Sequence, residues 1–403
     1  MGKGLLLIVG ILFLFALEIL KVYFIMPFPG SQHGNTLRFA YFIDNNSWWL
    51  RSLGLLMVSY PLFLIFTQGK TWSKWLVMFV LFLYGGIFYL VNYRFLAYKM
   101  FYQPRQKTLA DVSRNVIGLD QLVLGVTING QAKAYPIEVI GYHHQVRDTV
   151  GREPVMVTYC TVCRTGRVFS PYVKGHYQNF RLVGMDHFNA MFEDGSTRSW
   201  WQQATGVALI GPLKGSRLKE WPSEQMRLTS WIRKHPATLI LQPDTTFNEA
   251  YEDLRNYDIG TIKSGLEKRD SASWKNKSWV VGLQVNGQAK AYDWNDLIRF
   301  RLINDSISSV PLLLAVEADS ASFHVWNAEL NGKHLHFYLD VASGLLKDNN
   351  TKSTWNFDGI CTEGPLKGSS LTNRQAYQEF WHSWKQFHPN TTIYAMKDDK
   401  ENH

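Results

Sequence analysis

The sequence predicts an α+β chain: a mainly antiparallel β soluble region with a few helices, duplicated, and preceded by three transmembrane α-helices. Three observations predict it. The first quarter holds three long apolar segments. After residue 105 the chain turns polar, with the alternation of β-strands. The segment NGQAKAY stands at 129–135 and again, unchanged, at 286–292. The organisation that follows is a membrane domain over 1–104, a first soluble repeat over 105–250 and a second, degenerate repeat over 251–403. With 403 residues the chain exceeds one ordinary domain.

The first apolar segment, about 4–26, is interrupted only by Glu18 and Lys21, placed i, i+3 so that they can pair on a helix. The second, about 48–67, has Arg51 near one end, placed to snorkel, and Pro61 as a candidate kink. The third, about 72–93, carries Trp72, Trp75 and Tyr93 at its ends, as an interfacial belt does. Each approaches the roughly 20 residues that span a bilayer. No small-x-small cleavage site follows the first segment, so it reads as a span and not a signal peptide. The partners are then the lipid bilayer and, through the helices, a membrane protein. Counting Lys3, Lys70 and Lys74 against Arg94, Lys99, Arg105 and Lys107, the positive-inside rule favours a cytoplasmic soluble region, although large domains translocate despite such charges.

In the soluble region, VLGVTI, Asn-Gly and QAKAYP form two β-runs around a hairpin turn. PVMVTY reads as a buried strand and RVFSPYV continues as strand. TSWIRKHPATLIL opens as a helix capped by Thr229 or Ser230 and ends at the His-Pro. These elements recur: 286 − 129 gives an offset of 157, and SWWQQATGVALIGPLKGSRL at 199–218 is matched by STWNFDGICTEGPLKGSSL at 353–371. A shared order of this kind is an internal duplication of about 120 residues.

Composition narrows the function classes. Charged residues are 19% and hydrophobic ones 46%, which fits a folded chain. The net charge is +9, but Lys and Arg are scattered, which points away from nucleic acid. Three cysteines exclude a disulfide scaffold.

Two of the three, Cys160 and Cys163, lie in VTYCTVCRTGRVF. At the offset of 157 they fall over Glu317 and Ser320, while His143 and His144 fall over Phe300 and Arg301. The second repeat keeps the hairpin, the Trp, the GPLKG turn and the His-Pro without these groups, so their role is local to the first. A Cys-x-x-Cys between strands lets two thiolates converge on one ion. Cys160, Cys163, His143 and His187 are therefore candidate ligands of a transition metal, copper or zinc. Met185 and Met191 flank His187 and favour copper, and His144 is a further candidate. Two alternatives stand beside this: a thiol-disulfide redox protein using the Cys160–Cys163 pair, and a non-enzymatic membrane assembly factor that binds partners. Whether the protein is an enzyme is left open. Cys361 reads as a buried thiol. The GPLKG turns and the His235 and His388 positions read as structural.

In order, GVTINGQAKAYP, His143 to Asp148, VTYCTVC, SWWQQATG, GPLKG and WIRKHPATLIL resemble the bacterial domain of unknown function 3179, over roughly 105–245 and in degenerate form over 270–397. His143, Cys160 and Cys163 match family positions. Thr161, Arg164 and Arg147 stand where the family usually has Pro, Gly and Asn, and His187 has no matching position. The resemblance implies no activity. It implies a bacterial, extracytoplasmic setting, hence a multi-pass protein of the inner membrane with its soluble region outside.

Overall fold

A computed structural model of the chain describes residues 2–395. It divides into two compact units: residues 1–102 with 173–217, and residues 103–172 with 218–403.

In the first unit, α1 (Gly2–Tyr23), α2 (Leu37–Gln68) and α3 (Thr71–Tyr89) are long and apolar enough to cross a membrane. The third span runs on to Arg94 through a wider turn at Leu90–Arg94. Helix α2 starts eleven residues before the expected 48 (48 − 37) and continues through Pro61. Outward-facing Leu12, Leu56, Phe63 and Phe82 are more than 60% exposed, which suits a lipid-facing surface.

The polar residues of these helices turn inward and pair differently from the sequence reading. Glu18 does not pair with Lys21, and Arg51 does not snorkel. Arg51 is buried and binds Glu18 in a two-pronged ion pair, Nε to Oε1 at 2.5 Å and Nη2 to Oε2 at 2.9 Å. Asn92 donates to Glu18 at 2.8 Å and accepts from Arg51 at 2.8 Å and from Lys21 at 2.7 Å. A carboxylate inside an apolar bundle needs such a partner, and a guanidinium one helix away supplies two parallel bonds where a lysine supplies one.

The antiparallel meander Phe180–Asp186, Asn189–Asp194, Trp200–Gln202 and Ala208–Ile210 also belongs to this unit, although the sequence places it in the first repeat. The reason is a set of contacts with the segment joining α1 and α2. Met185 N donates to Ile25 O at 2.8 Å, Arg181 pairs with Asp44 at 3.0 Å, and Tyr41 packs edge-on against Trp200.

The second unit is built on two sheets of like order. In one, Leu239–Leu241, Gln131–Pro136, Leu122–Ile128 and Ser223–Arg227 follow one another, with Leu109–Ala110 added at the edge. In the other the order is Thr392–Ile393, Gln288–Asp293, Trp279–Val285 and Ala376–Phe380. In each, the edge strand after a Trp helix pairs in parallel and the other pairs are antiparallel. Both hairpins turn at Asn-Gly with positive φ, at Asn129 and Gly130 and at Asn286 and Gly287, as the primed turn requires. Trp231 and Trp384 lie flat on Gly125 and Gly282, where a Cβ would meet the indole at 2.2 and 2.3 Å. Only glycine admits the ring there. The helices Leu228–Lys234 and Trp381–Phe387 carry these indoles. The first is not capped by Thr229 or Ser230: their hydroxyls bond Leu119 O and Glu317 Oε2.

Two further four-stranded sheets complete the frame that holds the cysteines and its partner: Gln145–Val150, Glu153–Cys160, Thr165–Phe169 and Glu220–Trp221, and Leu302–Ile307, Val310–Val316, Phe323–Asn327 and Thr372–Asn373. A last meander, Phe337–Leu339, Leu346–Asp348, Thr354–Trp355 and Cys361–Glu363, buries Cys361.

Candidate functional site

Strand pairing sets the cysteine turn. Cys160 ends its strand opposite Thr165, so Thr161–Arg164 must reverse the chain in four residues. Arg164 adopts a left-handed φ of 57° to do so, and its N–H closes the turn on Thr161 O at 3.3 Å. Cys160 and Cys163 are 1% and 0% exposed. No disulfide joins cysteines among the described residues.

The carbonyls of Thr161, Val162 and Cys163 each accept a donor from the part of the chain after residue 250. Tyr257 Oη donates to Thr161 O at 2.9 Å, Lys277 Nζ to Val162 O at 2.8 Å, and Phe380 N to Cys163 O at 3.0 Å. His382 Nε2 lies 3.2 Å from the same Val162 O and 3.2 Å from Lys277 Nζ. Thr161 Oγ1 donates to Glu267 at 2.7 Å. Arg164 is sealed over the Trp279 ring at 3.7 Å and donates to Gln378 Oε1 and to the Tyr257 and Asp258 carbonyls.

The electrostatics centre on Lys277. Its ammonium donates to the neutral carbonyls of Val162 and Leu266 and lies 3.2 Å from His382 Nε2. No carboxylate among the described residues lies within ion-pair distance of it. Burial pushes its pKa down, and the Cys163 and Cys160 sulfurs pull it back up. His382 is pushed down to about 4, first by burial and then by Lys277, so it is neutral at pH 7.

The histidines named from sequence have these surroundings. His143 closes the helix Ile137–His143 with its Nε2 2.7 Å from Tyr251 Oη, between the rings of Tyr142 and Phe247. His144 takes the left-handed position after the helix, and burial lowers its pKa. Its carbonyl accepts from Tyr159 N at 3.1 Å, which ties the helix end to the cysteine strand. His187 lies in the first unit, with Met185 and Met191. There His187 and Phe188 both have positive φ, as the two residues of a primed hairpin turn do, and Asp186 raises the His187 pKa. Among the described residues no three side chains drawn from His, Cys, Asp and Glu converge as a metal-holding group.

The family model matches residues 101–391. The chain belongs to the family described as Protein of unknown function (DUF3179). No curated protein and no solved structure matches it. The DUF3179 match takes in the cysteine turn together with Lys277 and His382, and it leaves out α1, α2 and α3.

Sequence reasoning missed Lys277, His382 and Arg164. The one available signal was WHSW at 381–384: at the offset of 153 set by the His-Pro alignment, His382 stands where the first half has Thr229. It also missed a cleft of about 540 Å³ beside the helix Ile137–His143, lined by Glu138, Asp258, Asp120 and Arg227 among others. There burial, and then Asp258, raise Glu138 to about 7, while burial raises Asp258 to about 6.

Proposed function

We propose that this is a membrane-anchored protein that binds one copper(I) ion through the thiolates of Cys160 and Cys163 and serves in copper handling. The observation that carries the reading is the half-buried Lys277 ammonium on the carbonyl of Val162, between the two cysteines, without a carboxylate within ion-pair distance among the described residues. Two thiolates and one monovalent ion sum to a charge of −1, which one ammonium matches. Zinc calls for four ligands, and no third side chain of the ligand types converges there among the described residues. Soft thiolates favour copper(I). The four-ligand set of Cys160, Cys163, His143 and His187 is thereby reduced to its two thiols.

The redox alternative is weaker on physical grounds. Thiol–disulfide exchange needs the sulfur of a partner protein to touch one of these sulfurs, a bulkier approach than the entry of a single ion, and they are 1% and 0% exposed. An uncharged disulfide would also leave Lys277 without a counter-charge.

On this reading residues 279–393 are a degenerate repeat of 122–241 that now supplies the lid of the site. Support comes from the matching sheet orders, the two Asn-Gly hairpins and the two Trp-on-Gly contacts. It also comes from the reciprocal caps: His382 reaches the Val162 carbonyl, and Ser230 reaches Glu317, which stands at the Cys160 position of the second half. On this reading the soluble region lies on the extracytoplasmic side of a bacterial inner membrane, the setting that the family resemblance implies.

Lys277→Met tests the charge match. Competition for copper(I) against a chromophoric chelator is expected to show unchanged stoichiometry and affinity weakened by about 10–100-fold, as for loss of a group supporting the ligands. Equal affinity in the variant would reject the role of Lys277.

A further inference from the structure

A groove of about 250 Å³ runs between α1 and the end of the third span, within the first unit. Val22 and Val91, each 4% exposed, form its floor. Ile19, Phe28, Leu90 and Phe95, each between 41% and 49% exposed, form its rim. The wide turn at Leu90–Arg94, closed by Phe95 N on Leu90 O at 2.9 Å, supplies three of these residues. Such turns recur at functional sites. The one hydroxyl on the wall, that of Tyr23, already donates to Pro29 O at 2.9 Å. The groove therefore takes an apolar occupant.

Its mouth is cationic. The third span runs from Thr71 to Arg94, 24 residues, so Arg94 stands where hydrocarbon gives way to headgroups. Tyr89 and Tyr93, stacked at 5.6 Å and both exposed, mark the same level. Arg94 is exposed and follows Leu90 and Val91 by four and three positions, the spacing of neighbours on a helix. No carboxylate lies within ion-pair distance of it among the described residues, and Arg38 at the start of α2 likewise has none. Phe39 beside Arg38 meets Phe24 just past α1, which puts both guanidiniums at one end of the helices. Residues 1–102 contain two carboxylates, Glu18 and Asp44, and these are bound by Arg51 and Arg181. The helices of a second copy thus have no free acid to bring to Arg94, and the matching anion comes from the bilayer.

We infer that this groove seats an acyl chain of an anionic phospholipid, with Arg94 on the headgroup phosphate. A guanidinium offers parallel N–H donors to phosphate oxygens. The two unmatched cations at this end favour a headgroup of net negative charge over a zwitterionic one. The inference rests on the membrane reading of α1, α2 and α3 and not on the copper reading.

The test is native mass spectrometry of the full detergent-purified chain, offered phosphatidylglycerol and phosphatidylcholine of identical chains. One phosphatidylglycerol per molecule is expected, retained about fivefold better than phosphatidylcholine, as one basic residue near the headgroups gives. Arg94→Gln is expected to remove that preference and leave acyl binding in place. Ile87→Trp, which fills the groove from its wall, is expected to lose both lipids, with thermal unfolding in detergent showing that the fold is intact. Equal retention of the two lipids by the wild type, or an undiminished preference in Arg94→Gln, would overturn the anionic assignment. Undiminished binding in Ile87→Trp would overturn the groove as the seat. Carbonate extraction of the membranes that hold the expressed chain reports on the spans separately: a chain that resists extraction yet shows no preference sinks the lipid site alone, and a chain that is extracted sinks the membrane reading with it.

Discussion

Cys160→Ala/Cys163→Ala is expected to abolish copper binding, with elemental analysis of the purified chain falling from one copper per molecule to none. The effect is all-or-none because the two ligands lie three positions apart, one at the strand end and one in the turn that follows, and no third side chain of the ligand types converges there among the described residues. Each single variant should retain little, since a lone thiolate is a poor site for a soft ion that two can share. The fold should survive, because shaving a small buried side chain costs about 1–2 kcal/mol. Cys361→Ala serves as the control. Its sulfur lies 3.2 Å from Glu363 O within the last meander, and its loss should leave copper unchanged.

The second large effect is expected in the unit that holds α1, α2 and α3. Arg51→Ala leaves the fully buried Glu18 without its guanidinium partner, with Asn92 and Tyr84 as its remaining donors. Breaking a buried pair on one side costs about 3–5 kcal/mol. That is a large share of the stability of a three-helix bundle, so the variant should unfold at lower denaturant, followed by helical circular dichroism in detergent. The double variant Glu18→Leu/Arg51→Met should recover most of the loss, because it removes both charges together. If Arg51→Ala unfolds like the wild type, the pair is not what holds the helices.

The limits of the sequence reading follow from range. Spans and hairpins were legible because their signals are local: runs of apolar residues over α1 to α3, and Asn-Gly between alternating strands. Glu18 was assigned to Lys21 because three residues along a helix is the range a sequence displays, whereas its partner is 33 positions away. The meander 180–210 was assigned to the first repeat by its order in the chain. It joins the helices through Ile25 and Asp44, contacts that no periodicity encodes. At the site, the cysteines were visible as a spacing. Lys277 was not, since it stands in the polar run SASWKNKSW, where a lysine looks like any solvated charge. His187 was singled out by residue type and neighbouring methionines, while its backbone marks it as a turn residue.

X-ray absorption at the copper edge of the loaded protein tests the central claim most directly. A monovalent ion bound by two sulfur atoms and no nitrogen, in wild type and in His143→Ala and His187→Ala alike, is the predicted result. A nitrogen ligand in the wild type, or a spectrum that changes when His143 or His187 is removed, would contradict the two-thiolate site.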